Sequence, residues 1–143
     1  SRRAIFNRES RWRIWSHRTL IITMGLDIYF TKRKSEEIGY FRKVNFLVKY
    51  FEDLGFDVEN QIPFRISKED AEVLLSRCNQ VLKDHSKASE LLPTMDGFFF
   101  GSTEYDEYYF EDVKEVRDYI KNTLLPKFEK LGSEEEIFFE TWY

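Results

Sequence analysis

The chain has 143 residues, of which 42% are hydrophobic and 17% aromatic, and its formal net charge is −4. This length and composition predict one domain with one buried core, and they exclude a disordered polyelectrolyte. No apolar run approaches the roughly 18 residues that a membrane-spanning helix needs. We therefore expect a soluble, cytoplasmic protein without a membrane partner.

Cysteine and histidine are scarce in this chain. Cys78 is the one cysteine, and His17 and His85 are the two histidines. A disulfide within the chain is excluded, and the set is too small for a zinc site. We predict neither a bound metal nor a cofactor.

The first 23 residues differ in composition from the rest. Six arginines stand there against Glu9 alone, a net charge of +5, whereas from Met24 onward 16 basic side chains oppose 25 acidic ones, a net charge of −9. We interpret residues 1–23 as an atypical extension before a natural start at Met24. The alternative is an arm that contacts nucleic acid or a membrane surface, because arginines interleaved with Trp12 and Trp15 can meet phosphates and stack on bases.

Residues 24–143 are expected to form a single domain, and the predicted elements begin with a strand. Leu26, Ile28 and Phe30 alternate with more polar residues, which predicts one buried and one solvated face. A first helix is predicted to begin near Ser35 and to end before Gly55. Its hydrophobic face would consist of Phe41, Val44, Leu47, Val48 and Phe51.

The middle of the chain predicts a weak strand and a well-marked second helix. Ile62, Phe64 and Ile66 alternate, but Pro63 lacks the amide of a central strand, which indicates an edge strand or an extended loop. Ser67 and Asp70 have the spacing of a capping box. The buried face of the helix would consist of Ala71, Leu74, Cys78, Val81 and Leu82, which makes Cys78 a core residue rather than a nucleophile. His85, near the helix end, is expected to act as a structural cap.

The last third of the chain predicts two strands around a third helix. The strands cover residues 98–100 and the segment that ends at Trp142. The helix would begin after Thr103 and end at about Leu124, since Pro126 is expected to break or kink it before a final turn. The whole pattern predicts an α+β fold of two layers, with about three helices on a mixed or mostly antiparallel sheet of about four strands. A three-layer α/β fold is the alternative.

Residues 97–112 contain seven aromatic side chains and five carboxylates without one positive charge. Steps of four back from Val113 reach Tyr109 and Tyr105, which predicts that both tyrosines join the core. The acids suit the start of a helix, where negative charge is favourable. Tyr108 would then lie on the outer side of the helix among more acids than capping needs, and we interpret this excess as a binding surface.

The candidate binding residues combine this surface with polar residues of the first helix. Asn45 is expected to be half buried and to need a hydrogen-bond partner, and Arg42 is expected to pair with Glu104 or Asp106 across a groove. A magnesium site that uses Asp27 is not predicted, because the spacing of the acids fits no known metal loop. The candidates are Arg42, Asn45, Glu104, Tyr105, Asp106, Glu107 and Tyr108, and no catalytic residue is assigned.

Four stretches of the chain resemble a group of small proteins from phages and bacterial mobile elements. They are MGLDIYF (24–30), GYFRKVN (39–45), LLPTMDGFFFGSTEYDEYYFED (91–112) and FFETWY (138–143). The resemblance covers nearly all of residues 24–143 and implies a phage or prophage origin, but it supplies no reaction. Similar proteins often have tryptophan at the position of Phe41 and a histidine near Val48, and an activity that needs this histidine is not expected here.

Three functions remain open after these observations. The first is a non-catalytic accessory protein that binds a host or phage protein through the acidic, aromatic surface, because exposed aromatic residues often anchor interfaces. The second is a small hydrolase or nucleotide-binding enzyme with a cleft formed by Arg42, Asn45, Glu104 and Asp106, although the chain lacks the common nucleophile and phosphate-binding motifs. The third is nucleic-acid binding through residues 1–23; the acidic remainder makes such binding elsewhere unfavourable.

Overall fold

The computed structural model describes residues 25–32, 36–97 and 100–143, so that the predicted extension 1–23 lies outside the described residues. One antiparallel sheet runs through this part of the chain in the order β2-β1-β4-β3. Its strands are β1 (Asp27–Lys32), β2 (Glu36–Arg42), β3 (Phe64–Ile66) and β4 (Ile137–Trp142). The predicted α+β fold with two layers is confirmed.

Helices account for most of the remaining described residues. They are α1 (Asn45–Asp53), α2 (Lys68–Lys83), α3 (Ala88–Leu91), α4 (Glu107–Tyr119) and α5 (Leu125–Glu129). A 3₁₀ turn (His85–Lys87) lies between α2 and α3, and a π-helical segment (Ile120–Leu124) joins α4 to α5.

Aromatic side chains hold the helices to one face of the sheet. Tyr119 of α4 lies 5.3 Å from both Phe30 of β1 and Phe41 of β2, measured between ring centroids. Phe51 of α1 lies 4.5 Å from Phe139 of β4. These rings are buried in one contiguous core, and burial of a large apolar side chain contributes about 1.5–3 kcal/mol. The central strands and the helices are therefore fixed relative to one another.

The other face of β1, which the sequence predicts to be solvated, is buried. Asp27 accepts a hydrogen bond from the Tyr40 hydroxyl at 2.8 Å and forms an ion pair with Arg42 at 3.2 Å. On the neighbouring strand, Trp142 Nε1 donates to the Glu140 carboxylate at 2.6 Å. The prediction of a solvated face was wrong, and these hydrogen bonds offset the cost of removing the polar groups from water.

The first helix is shorter than predicted, because residues 36–42 form β2. Ser35 lies outside the described residues, and α1 begins only at Asn45. Gly39 packs so closely on Tyr119 that an added Cβ would meet the phenol ring. Phe41 fits the helical spacing, but it lies in the strand and pairs with Ile28 of β1. The pairing of β2 with β1 therefore decides the structure of residues 36–42, although the spacing of the apolar residues also fits a helix.

Gly55 ends α1 as predicted. Its φ is 100°, a conformation that suits glycine. The Gly55 amide donates to the Glu52 carbonyl at 3.0 Å, and the Phe56 amide donates to the Phe51 carbonyl at 3.1 Å. This pair of bonds is a Schellman motif, and it satisfies carbonyls that the helix would otherwise leave unpaired.

The predicted features of α2 and β3 are also confirmed. Ser67 and Asp70 exchange both hydrogen bonds of the capping box. Cys78 is buried, and burial raises the pKa of its thiol to about 12, which keeps it protonated and unreactive. β3 lies at the edge of the sheet, with Pro63 just outside the strand.

Two predictions near the later helices need correction. Phe98 and Phe99 of the predicted strand lie outside the described residues, and Phe100 is not in a strand. His85 does not cap α2; its ring stacks on Phe110 with a centroid distance of 3.7 Å.

Pro126 does not interrupt the helical path from α4 to α5. It lies in the first turn of α5, directly after the π-helical segment. The π-helical segment before it widens the turn that proline would otherwise strain. Of the predicted break or kink at Pro126, the break does not occur, and the helical path changes to π-helical pitch over Ile120–Leu124.

Candidate binding cleft

A cleft of about 190 Å³ lies between the β2–α1 connection, the loop around residues 94–106 and the start of α4. We call it the α4 cleft. The side chains that line it are Arg42, Lys43, Val44, Asn45, Phe46, Thr94, Ser102, Glu104, Asp106, Tyr108, Tyr109 and Asp112, together with the backbone of Gly101.

Asn45 fixes one wall of the α4 cleft. Its side chain is 3% exposed, and Nδ2 donates to the carbonyls of Phe100 and Ser102, both at 3.0 Å. Its Oδ1 accepts from the Met95 amide at 3.0 Å. The predicted need for a partner is confirmed, since three hydrogen bonds use both ends of the amide, although Asn45 is fully buried and not half buried as predicted. Asn45 therefore positions the loop, and its amide is already committed.

Arg42 lies on the basic side of the α4 cleft. Its guanidinium pairs with Asp27, which faces it directly in the β1–β2 register. The predicted pairing with Glu104 or Asp106 was wrong, because the pairing of β1 with β2 places the Asp27 carboxylate beside the Arg42 guanidinium. The adjacent Lys43 is exposed and has a φ of 60°, and this left-handed residue turns the chain from β2 into α1.

Asp106 caps α4, in place of the predicted Thr103. Its Oδ1 accepts from the Tyr109 amide at 3.0 Å. The preceding residues are held outside the helix by Thr94, whose Oγ1 donates to the Thr103 carbonyl at 3.0 Å and whose amide donates to the Tyr105 hydroxyl at 3.1 Å. Tyr105 is consequently 38% exposed, and its predicted place in the core was wrong.

Tyr109 faces inward from the first turn of α4, as predicted. It is 5% exposed, and its hydroxyl donates to the Leu92 carbonyl at 2.7 Å. Its ring meets Phe46 of α1 edge to face at 5.5 Å. The inner side of this turn is therefore anchored both by packing and by a buried hydrogen bond.

Tyr108 faces outward from the same turn. It is 73% exposed, which exceeds the exposure of every other large hydrophobic side chain among the described residues. Glu104, Asp106 and Glu107 beside it are exposed as well. The rim of the α4 cleft thus carries an aromatic ring among carboxylates.

Asp112 is a cleft residue that the sequence analysis did not select. It is partly buried, and this burial, followed by the negative charges of Glu115, Asp106 and Glu111, raises the pKa of its carboxyl from 3.8 to about 6. A signal was present, since Asp112 follows Tyr108 by four residues and so lies on the same side of the helix. The same spacing of four residues relates the inward-facing Tyr109 and Val113.

The structure brings most of the predicted residues together. Arg42, Asn45, Glu104, Asp106 and Tyr108 line the α4 cleft, whereas Tyr105 and Glu107 do not. Within the part of the chain that the structure describes, no group of three histidine, cysteine or acidic side chains is placed to hold a metal ion. The cleft has one basic and one acidic wall, an arrangement suited to binding a charged segment.

Two further findings lie outside the cleft. Among the described residues, every helix is too short or too polar to cross a membrane. Comparisons with protein families, with curated proteins and with solved structures found no match.

Proposed function

We propose that this protein is a non-catalytic interaction module that binds a partner protein through its acidic, aromatic surface. We define this surface as Glu104, Asp106, Glu107, Tyr108, Glu111 and Asp112. The observation that carries the proposal is the 73% exposure of Tyr108. A tyrosine ring left in water at the rim of a cleft gains contact area when a partner covers it.

Tyrosine is among the residues that most often dominate binding energies at interfaces. Its ring supplies apolar contact while its hydroxyl remains able to donate and accept hydrogen bonds. Tyr108 is also held on a rigid support, because the Asp106 cap and the buried Tyr109 fix the first turn of α4. A preformed anchor loses little conformational entropy on binding, which favours affinity.

The charge of the surface favours a basic partner. Residues 104–112 contain five carboxylates and no lysine or arginine. Such a field attracts positively charged segments and raises their association rate, an effect that salt screens. The net charge of −4 for the whole chain acts in the same direction.

The setting we propose is that of an accessory protein of a phage or mobile element, with a host or phage protein as the partner. This setting is supported by the resemblance of four stretches within residues 24–143 to small phage and prophage proteins. The proposed binding surface lies within the longest of these stretches, which contains residues 104–112.

The test is affinity capture with the full chain, followed by identification of the bound protein. Replacement of Tyr108 and Glu107 by alanine should reduce capture of this protein by at least about tenfold, the loss expected at a hot spot. Val73→Ala is the matched control, because Val73 is an exposed apolar residue on α2. Equal capture by the double variant and the control would refute the proposal.

A second candidate function is a small hydrolase or a nucleotide-binding enzyme. It is favoured by the convergence of Arg42, Asn45, Glu104 and Asp106 on one cleft beside Asp112. A carboxyl with a pKa of about 6 can donate or accept a proton near neutral pH. The test is hydrolysis of model esters and phosphoesters, together with titration by ATP. Asp112→Asn should lower hydrolysis by about 10²-fold, and the absence of both turnover and binding would exclude this candidate.

A further inference from the structure

We propose that the α4 cleft receives a single lysine or arginine side chain of the partner, with Asp112 as the residue that selects it. This inference rests on the proposed function and specifies its partner. The stem of the side chain would lie against the exposed ring of Tyr108 at the rim, and its charged end would meet Asp106 and Asp112.

The size of the cleft limits what can enter it. Its volume of about 190 Å³ is smaller than the roughly 300–1,000 Å³ of typical small-molecule sites. One extended side chain is a more suitable occupant than a whole cofactor or nucleotide. Its partly open form also allows a side chain to enter while the backbone of the partner stays outside.

The chemistry of the cleft suits a long basic side chain. Lysine and arginine bury their aliphatic stems on apolar surface and keep the charge near polar groups. Val44, Phe46 and Tyr109 at the base of the α4 cleft are almost fully buried, so the exposed Tyr108 ring offers the apolar contact at the rim, and Asp106 and Asp112 supply carboxylates. The Tyr108 ring at the rim can add a cation–π contact.

The charges around Asp112 favour an added cation. Glu111 and Glu115 of α4, Asp106 at its cap and Glu104 of the preceding loop are all acidic. The basic residues of the opposite wall are Arg42, which is paired with Asp27, and the exposed Lys43. The acidic wall therefore outweighs the basic one. Burial and, after it, repulsion among these carboxylates raise the pKa of Asp112, and a bound cation would relieve the repulsion.

The test uses two capped peptides, Gly-Gly-Arg-Gly-Gly and the same sequence with norleucine in place of arginine. Chemical-shift titration of the full-length ¹⁵N-labelled chain should show that only the arginine peptide shifts the signals of α4. Its binding should be about fivefold weaker at pH 5 than at pH 7.5, because Asp112 is mostly protonated at the lower pH. Asp112→Asn should remove this pH dependence, whereas Asp57→Asn, at an exposed site away from the cleft, should retain it.

Equal binding of the two peptides, or an unchanged pH dependence in Asp112→Asn, would overturn the inference. Such a result leaves the proposed function standing if the Tyr108 and Glu107 double variant still loses the captured protein. If that variant captures the protein normally, the proposed function itself has failed. The two failures are therefore distinguishable.

Discussion

Tyr108 and Tyr109 are neighbours in the first turn of α4, yet Tyr108 faces solvent and Tyr109 faces the core. Tyr109 is buried, with its hydroxyl on the Leu92 carbonyl and its ring against Phe46. Tyr108 is the most exposed large hydrophobic side chain of the described residues. A helix turns by about 100° per residue, which is why adjacent positions can serve folding and recognition separately.

The residues around the α4 cleft therefore form two groups, one structural and one a candidate for binding. The structural group includes Asn45, which ties α1 to the loop around Phe100, and Tyr109. The binding group includes Tyr108 and Asp112. If this division is correct, variants of the first group should change stability, and variants of the second should change binding or pH response.

The largest effect is expected for Tyr109→Ala. Removal of a buried aromatic ring leaves a cavity and unpairs the Leu92 carbonyl, which should lower the free energy of unfolding by about 3–5 kcal/mol. Denaturant unfolding measures the change. Tyr109→Phe retains the ring and should cost only about 1 kcal/mol, the value of the lost hydrogen bond. If Tyr109→Ala lowers the free energy of unfolding by less than about 1 kcal/mol, this side chain does not anchor the turn.

The second effect concerns Asn45→Ala, which deletes three hydrogen bonds to the backbone. We expect a loss of about 2–3 kcal/mol in the free energy of unfolding, because buried donors and acceptors are left unpaired. Hydrogen exchange of the Met95 amide should accelerate as well, since Asn45 Oδ1 accepts its proton. Asn60→Ala is the control, because Asn60 bonds to the Tyr143 backbone at an exposed site and should cost less.

A smaller effect of opposite sign is expected for Asp112→Asn. The pKa of Asp112 is raised from 3.8 to about 6, which means that the folded state binds the proton more tightly than the unfolded state. The carboxylate thus destabilises the fold increasingly as the pH rises through this range. The variant should be more stable by about 1 kcal/mol above pH 6, after allowance for solvent screening.

Below about pH 3 the advantage of Asp112→Asn should disappear, since both folded and unfolded wild-type chains then carry a neutral Asp112. Urea unfolding at several pH values measures this profile. A variant whose gain is the same at all pH values would show that removal of the charge is not the cause.

The smallest effect on stability is expected for Tyr108→Ala. An exposed side chain away from the core should change the free energy of unfolding by less than about 0.5 kcal/mol. Thermal unfolding next to Tyr109→Ala gives the direct contrast. A loss of 2 kcal/mol or more would place Tyr108 with the structural residues and remove the candidate anchor.

Features that depend on neighbouring residues could be predicted from the sequence. The capping box of Ser67 and Asp70, the stop at Gly55 and the burial of Cys78 are all confirmed. Each depends on hydrogen bonds or side-chain spacing within one or two turns of helix. The edge position of β3 agrees with the prediction from Pro63, which lies next to the strand.

Part of the α4 cleft was likewise predictable. Asn45 and Tyr109 lie as the pattern indicated, and Tyr108 faces outward. The prediction failed at Tyr105 and Thr103, because Thr94 draws both out of the helix through hydrogen bonds across the loop. Asp112 was missed because its raised pKa depends on burial in a cleft that three separate segments form.

The sequence by itself determined the class of fold, the start of α2, the end of α1 and the outward position of Tyr108, since propensity, capping and periodicity act over short distances. Tertiary structure decided that residues 36–42 form a strand, that Arg42 pairs with Asp27, and that the polar face of β1 is buried. These outcomes depend on partners far apart in the chain. The close contact of Gly39 with Tyr119 is such a case, because only the folded chain brings together two residues that are 80 positions apart in sequence.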